Sequence, residues 1–371
     1  MAELRSAYQG CLLGLAAGDA LGYTVDSKSY EEICRDYGPK GLMGYDLVNG
    51  YAQISSYTQL AAFVTNALLI GITRGQQKGQ MGPFVRYIQL AMLEWADGQT
   101  SHRGPETKHC WVGRVSAFRQ RVCMDYRMLD TLQRRRVGSM EEPVNRNAAP
   151  GAITAAIPVG LFFQPDRMEV TKIGVLGAQA VALTQGDAAA FLSGAALAYM
   201  VAGIIQEPDC PLELQFSHAA DAVAGQFGRE YAAAGELRGL LHKTIRLVKN
   251  AHVPHQEAMA QLQCVSCAQV LAGAVYACLA AKGDFDTAMI IAVNHSGRSA
   301  AVGAVAGALL GAQMGLEGLP DFYMEGLETA PLLLTLAADL VQGCPMGLMT
   351  RLFDDDWDRK YTQGEPPDTA I

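Results

Sequence analysis

Apolar positions along the chain recur at helical spacing almost from end to end. After a short polar start, residues 3–22 contain GCLLGLAAGDALG, with Gly10, Gly14 and Gly18 at four-residue steps on one face. A second run, TQLAAFVTNALLIGITRG, fits a 3.6-residue period, and Ser55 or Ser56 is placed to cap it. Segment 82–97 sets Phe84, Tyr87, Ile88, Met92 and Trp95 on one buried face, and a basic helical stretch runs through Arg136. Further helices are predicted over 168–184, 187–206, 211–225, 229–249, 255–263, 264–281, 284–293, 299–315 and 325–342. Gly303, Gly307 and Gly311 repeat the four-residue glycine stripe, which lets a neighbouring helix approach to backbone contact. Because each interior glycine costs a helix about 1 kcal/mol relative to alanine, such a stripe marks a buried central helix. A polar knot, Asn294 to Ser299, precedes it, with Ser299 expected as the N-cap and the helix amino end expected as an anion site.

Between these helices, residues 23–54 read as irregular, with turns at Gly38-Pro39, Gly41, Gly44 and Gly50. Residues 145–163 read as a Gly/Pro-punctuated loop returning to apolar helix. Alternating strand patterns are nearly absent. The expectation is one compact all-α domain over residues 1–352, followed by a polar, loosely held tail over 353–371.

Composition narrows the function. The 371 residues are 50% hydrophobic and 18% charged, as in a well-buried globular protein. A net charge of −8 argues against general nucleic-acid binding, and the run Arg134 to Arg136 reads as a solvated face. The first nine residues do not read as a secretory signal, so none is expected, and segment 188–205 suits a buried helix better than a membrane span. A cytoplasmic protein with no nucleic-acid or membrane partner is expected. Cys264-Val-Ser-Cys267 has no second pair at zinc spacing and reads as core.

Four stretches, in order, resemble the ADP-ribosylglycohydrolases, an all-helical family. Gly10 to Gly22 is similar to the opening GxxxGxAxGDALG. Ser55-Ser56-Tyr57-Thr58-Gln59-Leu60 stands where the family has (S/T)-D-D-T-Q-M. Glu142-Pro143-Val144-Asn145 through Pro158-Val159-Gly160-Leu161 resembles a P-x-N, glycine-rich loop, A-P-I-G-L segment, in a form like that of bacterial members. Val293 onward matches V-N-x-G-G-D-(T/S)-D-T and its small-residue helix. The resemblance implies two Mg²⁺ held by the Asp-Asp pair, two late aspartates, a Thr and, in some members, a carboxylate after GDALG. These are the hard oxygen donors that Mg²⁺ requires, positioning ADP-ribose and water for attack at the anomeric carbon.

The departures fall on that ligand set. The Asp-Asp pair is Ser56 and Tyr57, and the late aspartates are Arg298 and Ala300, leaving Thr58 and Asp26. The glycine loop keeps Gly151, a family arginine is Ala155, and a family Thr-His is Thr184-Gln185. A guanidinium repels a metal but holds a diphosphate by paired hydrogen bonds. No cofactor is therefore expected, although typical relatives carry Mg²⁺.

Three readings follow. The first is a pseudoenzyme that binds ADP-ribose, an ADP-ribosylated protein or a related phosphorylated ligand without metal. Its site would be Arg298, Ser56, Tyr57, Thr58, Asn294, His295, Ser296 and Gly151, with Asp26 paired to Arg298. The second is an active hydrolase of an N- or O-glycosidic bond using Asp26 or Asp187 as base. The third is a protein-interaction module whose cleft is filled. Asp19 is expected to be a buried helix-end acid that caps or pairs locally, the other reading being support of the site from behind.

Overall fold

A computed structural model describes residues 2–100, 109–162, 169–250, 252–347 and 352–368. The polar segment beyond Thr100, residues 163–168 and the last three residues lie outside it. The described residues form an all-α fold of seventeen α-helices. They begin with α1 (Ala2–Tyr23), α2 (Tyr30–Tyr37), α3 (Ser56–Lys78), α4 (Phe84–Thr100), α5 (Tyr126–Gln133) and α6 (Ala156–Phe162). Next come α7 (Val170–Ala182), α8 (Ala188–Gln206), α9 (Leu212–Phe227), α10 (Ala232–Val248), α11 (His255–Leu262) and α12 (Cys267–Ala280). The chain closes with α13 (Phe285–Val293), α14 (Ser299–Met314), α15 (Asp321–Glu325), α16 (Ala330–Gln342) and α17 (Asp355–Tyr361).

The two glycine stripes are each other's partners. A Cβ added to Gly14 would lie 2.1 Å from the Gly307 carbonyl oxygen, and one added to Gly18 would lie 1.9 Å from that of Gly303. Gly10 meets Gly311 and Gly22 meets Ser299 in the same way, so α1 and α14 run antiparallel in backbone contact through the centre of the core. This seam sets the chain after α1 against the amino end of α14, where the candidate site lies. Around it pack α3, α8, α12, α13 and α16. Among the described residues, α8 alone is long and apolar enough to cross a membrane, and most of it is buried in the core. Cys264, Cys267 and Cys278 are buried, as read from their apolar context.

Four local readings need correction. Within 23–54 the chain forms α2, because Ser29 and Glu32 close a capping box. The segment 325–342 is broken, with α16 beginning only at Ala330 and Pro331 in its first turn. Ser299 is the first residue of α14 rather than its cap, and its hydroxyl bonds back to the His295 carbonyl. The C-terminal stretch is not loose over 355–361. Trp357 and Tyr361 are buried, Trp357 donates to the Thr73 hydroxyl, and Tyr361 and Lys360 both reach Asp339. Two aromatics four residues apart supply an apolar stripe strong enough to dock a charged helix.

Candidate functional site

Three carboxylates surround the end of the seam, and each is already engaged. Asp19, fully buried in α1, accepts from the Ser55 amide and hydroxyl at 2.9 and 2.5 Å. It also accepts from the Thr58 amide and hydroxyl at 3.0 and 2.6 Å. It thus ties α1 to the first turn of α3, whose N-cap is Ser55. Burial pushes Asp19 up to about 6 against the pull of these donors. The Thr58 hydroxyl is spent on it.

Asp26, in the turn after α1, is the cap that α14 lacks from its own sequence. One oxygen accepts from the Ala300 amide at 3.0 Å, and the other lies 3.5 Å from Arg298 Nε and accepts from the Ser27 hydroxyl. The expected anion position at this helix end is filled from within the chain. Burial raises Asp26 above the ordinary carboxylate range despite the Arg298 charge and the Ala300 amide.

Arg298 is held on a second side by the Met124 carbonyl, 2.7 Å from Nη2, and its side chain stays 26% exposed. Tyr57 is wholly buried beneath it, and neither the Tyr57 hydroxyl nor Arg298 Nε has a hydrogen-bond partner of normal geometry. Burial holds the Tyr57 phenol well above its usual range, with the charges of Asp26 and Arg298 pulling in opposite directions. Ser56 accepts from the Met124 amide, and the Tyr57 carbonyl accepts from Thr154.

The third carboxylate, Asp125, was not visible as a site residue in the sequence. One oxygen caps α5 through the Arg127 and Met128 amides, and the other accepts from Asn147 and Gln185. It also explains Gly151, where an added Cβ would fall 2.6 Å from the Asp125 side chain. Gly151 therefore packs its Cβ side on a carboxylate. The one signal available beforehand was an Asp preceding a helical run.

The polar knot before α14 is structural in its contacts. Asn294 bonds both the amide and the carbonyl of Leu42 and the Ile290 carbonyl. His295 is buried, with Nε2 on the Ala292 carbonyl and Nδ1 accepting from the Gly297 amide, so no ring nitrogen is left over. Burial pushes it down to about 4. Ser296 accepts from the Tyr30 amide and tethers α2. Asp187 caps α8. The structure thus brings Asp26, Tyr57 and Arg298 together and sets Asn294, His295 and Ser296 to holding segment 29–42 and their own turn.

The family model described as ADP-ribosylglycohydrolase matches residues 1–347. The chain belongs to the ADP-ribosylglycohydrolase family. Among solved structures it is similar to one titled "ADP-ribosylglycohydrolase-related protein complex", at 20% identity, over 92% of this chain and 99% of that one, with a TM-score of 0.57. That likeness carries the fold. A comparison with curated proteins finds no match.

Within this family the magnesium question turns on donor chemistry. The four positions that hold aspartates in typical ADP-ribosylglycohydrolases present here a serine hydroxyl already bonded to an amide, a buried phenol, a guanidinium and a methyl group. Among the described residues no three His, Cys, Asp or Glu side chains converge to hold a metal. The one cation, standing at one of the four acid positions, repels Mg²⁺, and Asp26, the acid left of that ligand set, is neutralised by the same cation. These residues do not fit a dinuclear magnesium centre.

Proposed function

We propose that this chain is a non-hydrolysing ADP-ribosylglycohydrolase-family protein that binds ADP-ribose, or an ADP-ribosylated side chain, without metal. The reading rests on one observation above the others. A guanidinium, pinned by Asp26 and the Met124 carbonyl yet 26% exposed, stands where typical relatives concentrate acids. Pre-oriented in this way, Arg298 can offer its remaining N–H groups to a diphosphate as a fork, which a magnesium pair would otherwise do by charge. Hydrolysis with Asp26 or Asp187 as base finds less support, since both already accept hydrogen bonds from helix amides. The complete burial of Tyr57 favours a second reading, a protein-interaction module whose cleft is filled.

Calorimetric titration with ADP-ribose, with and without Mg²⁺, on wild type and Arg298→Ala distinguishes these readings. Binding near about micromolar affinity, indifferent to Mg²⁺ and lost in the variant, supports the proposal. A requirement for Mg²⁺ overturns it and reopens hydrolysis. No binding in either condition leaves the interaction module.

A further inference from the structure

The six asparagines of this chain are not equally protected from their own backbone. Asn49 is followed by Gly50, whereas Asn66, Asn145, Asn147, Asn250 and Asn294 precede alanine, arginine or histidine. Asn66 is buried, and the side-chain amides of Asn145, Asn147 and Asn294 donate to the Thr184 carbonyl, to Asp125 and to the Leu42 carbonyl. Asn49 is exposed, and its side chain has no hydrogen bond among the described residues.

Asn49 and Gly50 form the tip of a short hairpin between α2 and α3. Their φ angles are 54° and 86°, both left-handed as a type I′ turn requires. Val48 and Tyr51 close the tip by exchanging hydrogen bonds of 2.8 and 3.2 Å, as an isolated bridge. Leu47, Val48 and Tyr51 around it are each about half exposed, so no core packing holds the pair shut. The Gly50 amide donates to no other group among the described residues, and a Cβ added to Gly50 would meet nothing within 4 Å. A tip held by two exposed bonds opens locally while the core stays folded. Once open, glycine rotates freely, and its nitrogen reaches Asn49 Cγ.

We propose that Asn49 is a site of spontaneous deamidation and isoaspartate formation, with water as the sole co-reactant. The deprotonated Gly50 nitrogen attacks Asn49 Cγ. A C–N bond forms, the Cγ–Nδ2 bond breaks, and ammonia leaves with a proton from water; no electrons are exchanged. Water then opens the five-membered imide. Attack at the main-chain carbonyl leaves an isoaspartyl link, and attack at Cγ leaves aspartate. The main-chain carbonyl is the more electrophilic, because the neighbouring carbon bears the Asn49 peptide nitrogen, so isoaspartate is the main product. Either product moves the net charge from −8 to −9. The isoaspartyl form also adds a main-chain carbon to a two-residue turn, which breaks the Val48–Tyr51 bridge. The step uses none of Asp26, Tyr57 or Arg298 and stands or falls without the reading given above.

The test ages the folded full chain at neutral and at mildly alkaline pH. Ion-exchange chromatography follows the charge, and peptide mass spectrometry with fragmentation that separates isoaspartate from aspartate locates it. Wild type is expected to accumulate an acidic form modified at position 49, with isoaspartate in excess, faster at the higher pH. Gly50→Ala should slow this about tenfold or more, since a Cβ crowds the attacking nitrogen and narrows its backbone choices. Asn49→Ser should give no acidic form over the same period, and Asn49→Asp supplies the charge-matched elution standard. Circular dichroism melts confirm that the variants fold, and the pH dependence decides the matter if Gly50→Ala disturbs the turn. Retention of the Asn49 amide for as long as the other five asparagines keep theirs overturns the proposal. So does earlier conversion of another asparagine, aspartate without isoaspartate, or a rate indifferent to pH.

Discussion

Substituting Gly14 by alanine sets two effects of opposite sign against each other. Alanine is the better helix former by about 1 kcal/mol, so helix propensity alone predicts a stabilised protein. Against that, the new methyl would sit 2.1 Å from the Gly307 carbonyl oxygen and 2.9 Å from its carbon, where ordinary contact starts at 3.4 Å. Those are backbone atoms of a buried helix, so no side chain can rotate away. The helices must part by roughly an ångström, loosening Gly10–Gly311 and Gly18–Gly303 at once and drawing Ala300 from Asp26. Overpacking of this kind costs about 1–3 kcal/mol, and with no flexible neighbour the upper end applies, for a net loss of about 2 kcal/mol after the propensity gain. A thermal melt should fall by about 2–3 °C for a chain of 371 residues. Gly239→Ala is the matched control: it lies within α10, exposed, with nothing within 4 Å of an added Cβ, and should gain about 0.5–1 kcal/mol. If both variants melt above wild type, the two helices are not in backbone contact and the account of the core is wrong.

Tyr57→Phe removes a buried hydroxyl that has no partner of normal geometry, so its melting temperature should equal or exceed wild type; a loss above about 1 kcal/mol would mean the hydroxyl is bonded in solution. Trp357→Ala should cost about 3–5 kcal/mol in urea denaturation by undocking α17 from Thr73, whereas a loose tail predicts no change. The pH dependence offers another check. His295 is depressed to about 4, so its contribution is lost as pH falls from 6.5 towards 4; Asp19 is raised to about 6, so protonation favours the fold over nearly the same window. The two offset each other in wild type. Asp19→Asn removes one side, and its stability should drop by about 3 kcal/mol more than wild type's between pH 6.5 and 4; parallel curves would sink that assignment.

Helix content was legible in the sequence wherever the apolar period ran beyond three turns, and the glycine steps at 10–18 and 303–311 announced close packing before any partner was known. Asp19 was readable as a buried helix-end acid because it sits in an otherwise apolar helix. Shorter elements were hidden for physical reasons. Two turns of α2 are too few to show a period, although Ser29 and Glu32 carried its cap. In α17 five charges obscured the pair Trp357 and Tyr361. The cap on α14 could not be read at all, because Asp26 supplies it across 274 residues of sequence. For the candidate site, the replacement of acids at 56, 57, 298 and 300 was plain. That Tyr57 lies wholly under Arg298, and that Asp125 closes the glycine loop, depends on packing that no local pattern encodes.

The antiparallel glycine seam also has a consequence in time. α1 finds its main partner in residues 299–314, some 276 positions after its own end. At typical synthesis rates of 5–20 residues per second, α1 waits roughly 15–60 s before that partner exists. During that interval its bare glycine face is a poor isolated helix, since nothing yet repays the backbone entropy of Gly10, Gly14 and Gly18. The α1–α14 seam therefore forms only after residues 299–314 have been made, so α14 completes it rather than nucleates it. Chains truncated before residue 299 should lack the fold altogether instead of forming a smaller version of it.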